Sequence, residues 1–102
     1  MGTFVMLSSL TPEGCKSLHA RPERLEEVNH EIEGFGCKIL AQYAVLGPYD
    51  FLTIVEAPDN ETAAHLSVDL ASRGTVKITT LPASPMRDLM KALKSKQQIG
   101  HK

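Results

Sequence analysis

The chain has 102 residues, 42% of them apolar and 23% charged, with a net charge of −1. That length suits one domain able to bury a core without metals or disulfides. The interspersed charges exclude a basic footprint for nucleic acid, and no apolar run approaches the roughly 20 residues that span a bilayer.

Thr3 to Leu10 reads as the first strand, with Phe4, Met6 and Leu10 on one face and Val5 and Leu7 on the other. Ahead of it stand no charged segment and no long apolar segment of the secretory kind, so a cytoplasmic protein is expected. Thr11-Pro12-Glu13 then predicts a helix start, with Thr11 as the cap, Pro12 in the first turn, and an end near Ala20. Arg21-Pro22-Glu23 signals a second start. From there to Phe35 the apolar residues Leu25, Val28, Ile32 and Phe35 recur on one narrow helical stripe.

Cys37 to Leu46 and Asp50 to Ala57 are rich in β-branched and aromatic residues and predict two strands. Between them, Gly47-Pro48-Tyr49-Asp50 reads as the tight turn of a hairpin. Asp59 is the expected cap of the next helix, whose inner face carries Ala63, Leu66, Leu70 and Ala71 and which ends at Gly74. Thr75 to Leu81 predicts the fourth strand, stopped by Pro82. After Ser84-Pro85, the residues Met86, Leu89, Met90 and Leu93 mark one face of a last helix. The domain is expected to span 1–94, with 95–102 a polar, flexible tail whose lysines, with Lys91 and Lys94, read as a solvated helix end.

The order β-α-β-β-α-β with a C-terminal helix predicts an α+β, ferredoxin-like fold: a four-stranded antiparallel sheet with two helices on one face. Two helices cover only one side of such a sheet. Yet Val5, Leu7, Leu52 and Ile54 would lie on the other. An exposed apolar face of that kind calls for a cover, and the same face of a second copy is the simplest one. A homodimer is therefore expected, with higher assembly left open. The alternative cover is the C-terminal helix of the same chain.

Several stretches in order carry a family resemblance. They are Leu10-Thr11-Pro12-Glu13-Gly14, Arg21-Pro22-Glu23-Arg24-Leu25, Gly47-Pro48-Tyr49-Asp50, Ile54-Val55-Glu56-Ala57-Pro58-Asp59, Glu61-Thr62-Ala63-Ala64, and Ser72-Arg73-Gly74 with Val76 and Thr80-Leu81. With them the chain resembles the GYD domain family of dimeric α/β barrels over roughly residues 3 to 90. Gly47, Tyr49 and Asp50 match the residues that give the family its name. The resemblance implies the fold and a dimer; it does not imply one activity, because a fold does not fix a function. Arg21 departs from the pattern, which has a small capping residue such as serine at that place.

The candidate ligand-binding residues are Tyr49, Asp50, Tyr43, His19, Arg21 and Lys77. A phenol and a carboxylate at a strand end could donate, accept or move a proton. The competing reading, placed first, has Asp50 tie the turn backbone while Tyr49 packs its ring. His19, Arg21 and Arg24, with Lys77, could hold a small anion, against the plainer reading of surface ion pairs. Cys15 and His19 stand four apart, as do Glu61, His65 and Asp69. Neither row makes a metal set, so no metal and no cofactor are expected. Cys15 and Cys37 form no CxxC pair; reduced thiols are expected, with a disulfide between them left open.

Three functions compete. The favoured one is a non-catalytic, dimeric module that binds or senses a small metabolite between the sheet and its covering helices. The second is a cofactor-free enzyme of oxygenase or isomerase type, acting on a small aromatic or ketonic substrate through Tyr43, Tyr49, Asp50 or His19. The third is a purely oligomeric partner without a ligand. Neither nucleic acid nor a membrane is an expected partner.

Overall fold

A computed structural model describes residues 1–95. The elements run β1 (Gly2–Leu10), α1 (Pro12–Ala20), α2 (Arg24–Gly34), β2 (Lys38–Ala44), β3 (Phe51–Ala57), α3 (Asn60–Ala71), β4 (Val76–Ala83) and α4 (Met86–Leu93). The strands form one antiparallel sheet in the order β2-β3-β1-β4. This is the ferredoxin-like arrangement expected from the element order. No described helix is long and apolar enough to cross a membrane. Apart from Ser95, the expected flexible tail lies outside the described residues.

Two helix caps act as their sequences predict. The Gly14 N–H donates to Thr11 Oγ1 at 3.1 Å, and the Thr62 N–H donates to Asp59 Oδ1 at 2.7 Å. Each satisfies an amide that the first turn leaves open. The bonds from Thr62 hold the Asp59 carboxyl below its ordinary value. Helix α2 starts later than Pro22 implies. Arg21 instead closes α1, its N–H donating to the Ser17 carbonyl at 3.0 Å, and Glu23 stands at the start of α2 without a side-chain cap.

The sheet differs from expectation in three places. Strand β2 carries a register shift between Ile39 and Ala41, so that Leu40 is an extra residue, 46% exposed. The β2–β3 connection is not a four-residue turn but the six residues 45–50. Gly47 has φ +109° and Pro48 offers no amide, so neither continues a ladder. Asp50 turns its own amide to the Ser8 carbonyl, at 2.8 Å, instead of to β2. Finally, Pro82 lies inside β4, opposite Phe4, rather than ending it. As β4 is an edge strand, a missing amide on its outer side breaks no ladder.

The core lies between the sheet and α2 and α3. Phe4, Met6, Ile32, Val55, Leu66 and Leu70 are its large buried members, with Val28, Phe35, Ile39 and Ile78 packed against them. Cys37 is buried among them, and burial pushes its thiol up. Cys15 is exposed, and both cysteines are free. The opposite sheet face, with Tyr43 59% and Leu81 46% exposed beside Val5, Leu7, Leu52 and Ile54, stays open. The C-terminal helix does not fold over that face within the chain. Its whole apolar stripe faces outward, with Met86 70% and Leu93 68% exposed.

Candidate functional site

Toward the C-terminal end of β1 the interior is hollow. A cavity of about 120 Å³ lies between this half of the sheet and helices α1 and α2. Its size follows from which residues face inward. Ser8, Thr53 and Gln42 stand on adjacent strands where an ordinary core would place larger apolar groups. At the other end of the sheet Phe4, Val55 and Ala57 are buried in one cluster with Ala63 and Leu66 of α3. Buried Met6, Ile32 and Leu70 make the floor, while Leu18, Leu25 and Val28 make an apolar roof.

One wall is a closed polar network. Asn29 and Gln42 exchange amide hydrogen bonds at 2.9 and 3.1 Å, and Gln42 Nε2 also donates to Thr53 Oγ1 at 3.2 Å. Two arginines complete the lining. Arg73 places Nη1 and Nη2 on the two oxygens of Glu31, both at 2.7 Å, and approaches Asp69 at 3.6 Å. This fork holds the Glu31 carboxyl below the usual carboxylate range and raises Arg73 further. Arg24 is less committed. Only its Nη1 donates, to Glu27 Oε1 at 2.7 Å, and its other donors make no hydrogen bond among the described residues.

The lining contains Ser, Thr, Asn, Gln and Arg as its polar types, and no Asp, Glu, His, Lys, Cys or Tyr among the described residues. An arginine is effectively always protonated and does not serve as a base near neutral pH. The arrangement can hold a small molecule by shape, hydrogen bonds and positive charge. It presents no side chain of the kind that exchanges protons there.

None of the six residues singled out from the sequence lines this cavity. Tyr43 and Lys77 sit on the open side of the sheet, opposite Leu52 and Ser9. His19 is exposed on α1. Arg21 is exposed and donates to Glu27 Oε2 at 2.6 Å, sharing that carboxylate with Arg24. Tyr49 is half-buried in the 45–50 connection. Asp50 is a strap: its Oδ2 accepts the Leu10 N–H at 2.7 Å while its amide holds the Ser8 carbonyl. Beside it, Ser9 Oγ donates to the Pro48 carbonyl at 2.8 Å. Thus the connection is fastened to the end of β1, more than to itself. The cavity polar residues Ser8, Asn29 and Gln42 escape a reading of the sequence because they are neutral and far apart in the chain. Their one sequence signal is Ser8 and Thr53 at inward positions of otherwise apolar strands.

The strap predicts a sharp difference between two variants. Asp50→Ala leaves a half-buried amide unpaired and is expected to cost about 1–3 kcal/mol. Asp50→Asn keeps an acceptor oxygen and is expected to retain most of that stability. Chemical denaturation of both variants checks this; no loss in Asp50→Ala would mean that the contact with Leu10 contributes nothing.

The family model of the GYD domain matches residues 4–93. A curated relative, the glutamine synthetase and cystathionine beta-lyase binding protein of Thermus thermophilus, is 54% identical over 95 residues. The match spans 92% of this chain and 100% of that protein.

Proposed function

The chain belongs to the GYD domain family, and on that premise we propose that it is a non-catalytic, homodimeric binding protein. Its partners on this reading are metabolic enzymes, a glutamine synthetase and a cystathionine beta-lyase, as the name of the Thermus relative suggests. The cavity beneath α1 and α2 takes a small metabolite, so that binding to the enzymes answers to its level. The two free cysteines suit a reducing cytoplasm as the place of action.

The observation that carries the reading is apolar surface that no described part of the chain covers. Half-buried Val5, Leu7, Leu52 and Ile54, with exposed Tyr43 and Leu81, form one patch on the open sheet, and the stripe of α4 forms another. Contiguous patches of this kind mark interaction sites on soluble proteins. A flat sheet face can meet its own copy about a twofold axis. An amphipathic helix instead suits a groove on another protein. Met86 and Met90 make the α4 stripe adaptable, as unbranched thioether side chains fill grooves of different shape. That property fits a protein with two unrelated partners. The enzyme alternative would need a proton-handling group facing the cavity, and the described lining supplies none.

Light scattering on the purified chain is expected to give a dimer at micromolar concentration. Leu52→Asp with Ile54→Asp is expected to give a folded monomer, because two carboxylates from each copy would be buried against each other at the twofold interface. For the enzyme partners, affinity capture of the organism's own glutamine synthetase compares the native chain with Met90→Asp on α4. The native chain is expected to bind and the variant to lose at least about tenfold in affinity, or 1.4 kcal/mol. If the native chain captures neither enzyme, the partner assignment is wrong.

A further inference from the structure

We propose that the cavity selects a short aliphatic carboxylate, with Arg24 and Ser17 as the receptors for its head group. This rests on the reading of the cavity as a metabolite site and names the class of ligand.

The charges of the lining decide the head group. Its only ionised groups are the two guanidiniums of Arg24 and Arg73, and no carboxylate lines it among the described residues. An ammonium ligand would meet like charge, whereas a carboxylate meets attraction. Arg73 is not free for that task, because both of its terminal nitrogens are engaged by Glu31. Arg24 is only partly engaged: one terminal nitrogen is on Glu27, and the rest of its fork makes no hydrogen bond among the described residues. Its side chain is 33% exposed, which places it at the mouth rather than the floor. Ser17 lies on the adjoining helix, seven residues earlier, and lines the same cavity; its hydroxyl has no hydrogen-bond partner among the described residues. A guanidinium and a hydroxyl at one mouth are a common pair of donors for a carboxylate.

Volume and apolar lining decide the rest of the ligand. A cavity near 150 Å³ holds about one benzene-sized molecule, and this one measures about 120 Å³. A tail of about four or five carbons therefore matches its size. Leu18, Leu25, Val28 and Leu70 give it an apolar bed. No aromatic side chain other than Phe51 is in the lining, so stacking with an aromatic ligand has little support.

The test uses three probes with one carbon skeleton: isovalerate, isoamyl alcohol and isoamylamine. Each is titrated into the full chain at equal ionic strength and followed by amide chemical shifts in NMR. Isovalerate is expected to move the amides of Ser17, Asn29 and Gln42, and to bind about tenfold tighter than the alcohol, the amine being weakest. Arg24→Gln is expected to bring isovalerate and the alcohol within about twofold of each other, which a purely structural arginine would not do. Ser17→Leu, which fills the mouth, is expected to abolish the shifts with the fold intact. Equal binding of the three probes, shifts confined to other surfaces, or an undiminished preference for isovalerate in Arg24→Gln would each overturn the assignment. Capture of the enzymes without any ligand is read separately. A chain that captures glutamine synthetase but ignores isovalerate refutes the ligand class and leaves the partner role standing.

Discussion

Gly14→Ala is expected to destabilise the chain by about 3 kcal/mol, the reverse of what helix propensity alone would give. Within a helix, alanine usually gains about 1 kcal/mol over glycine. Here a Cβ on Gly14 would sit 2.0 Å from the carbonyl oxygen of Thr75, 2.9 Å from its carbon and 3.2 Å from Leu10 Cδ2. The nearest obstacle is backbone, so no side chain can rotate away to make room. That same carbonyl accepts the Thr11 N–H at 3.0 Å, and Thr11 Oγ1 donates to the Gly74 carbonyl at 2.7 Å. Moving α1 to relieve the clash would break both bonds. Overpacking costs about 1–3 kcal/mol, and each lost bond adds about 1 kcal/mol. Gly34→Ala is the control. It also lies in a helix, but nothing stands within 4 Å of its added Cβ, so a neutral or slightly favourable change is expected. Urea midpoints for the two variants at an unchanged slope settle it. A Gly14→Ala chain as stable as the native one would disprove the close seating of α1 on the Thr75 backbone just before β4. Because Gly14 also lines the cavity, the variant should weaken isovalerate binding as well.

Leu66→Ala carries the other large effect, a loss of about 2–5 kcal/mol. Leu66 is 1% exposed and stands on α3, with Phe4, Val55, Ala63 and Leu70 in the same buried cluster. Truncation removes apolar contact and leaves a hole that rigid β-strands cannot close. Domains of this kind are stable by only about 5–15 kcal/mol, so thermal unfolding should fall by at least about 10 °C. Val68 sits two positions along the same helix and is 68% exposed. Val68→Ala should leave the melting temperature of the isolated chain within about 2 °C of native, as it buries little. Equal losses at the two positions would contradict the orientation of α3.

Local signals are readable wherever a residue acts on its own neighbours. Thr11 and Asp59 cap their helices because the donor amides lie three residues on, within the same turn. The alternation of Phe4 and Met6 against Val5 and Leu7 shows that both faces of the sheet carry apolar side chains, before any partner strand is known. The β2–β3 connection is not the tight turn its residues suggest, because its shape is set from outside. Asp50 serves Leu10 and Ser8, residues about 40 positions away, and nothing near it in the chain announces that contact. The same holds for the cavity. Titratable residues such as Tyr43 and Lys77 stand out as chemical groups, but strand parity turns them to the open face. Neutral Ser8, Gln42 and Thr53 become a wall only when three strands place them side by side.

Short-range pattern along the chain is enough for the order of elements, the two capped helix starts and the split of apolar residues between two sheet faces. These depend on a period of 2.0 or 3.6 residues and on bonds that close within one turn. Three outcomes belong to the folded chain alone. Among the described residues, a cavity opens under α1 and α2, Glu31 engages both terminal nitrogens of Arg73 while only one of Arg24 is engaged, and α4 stands without a cover. Each depends on which distant segments meet. Only folding brings together the volumes and charges that decide them.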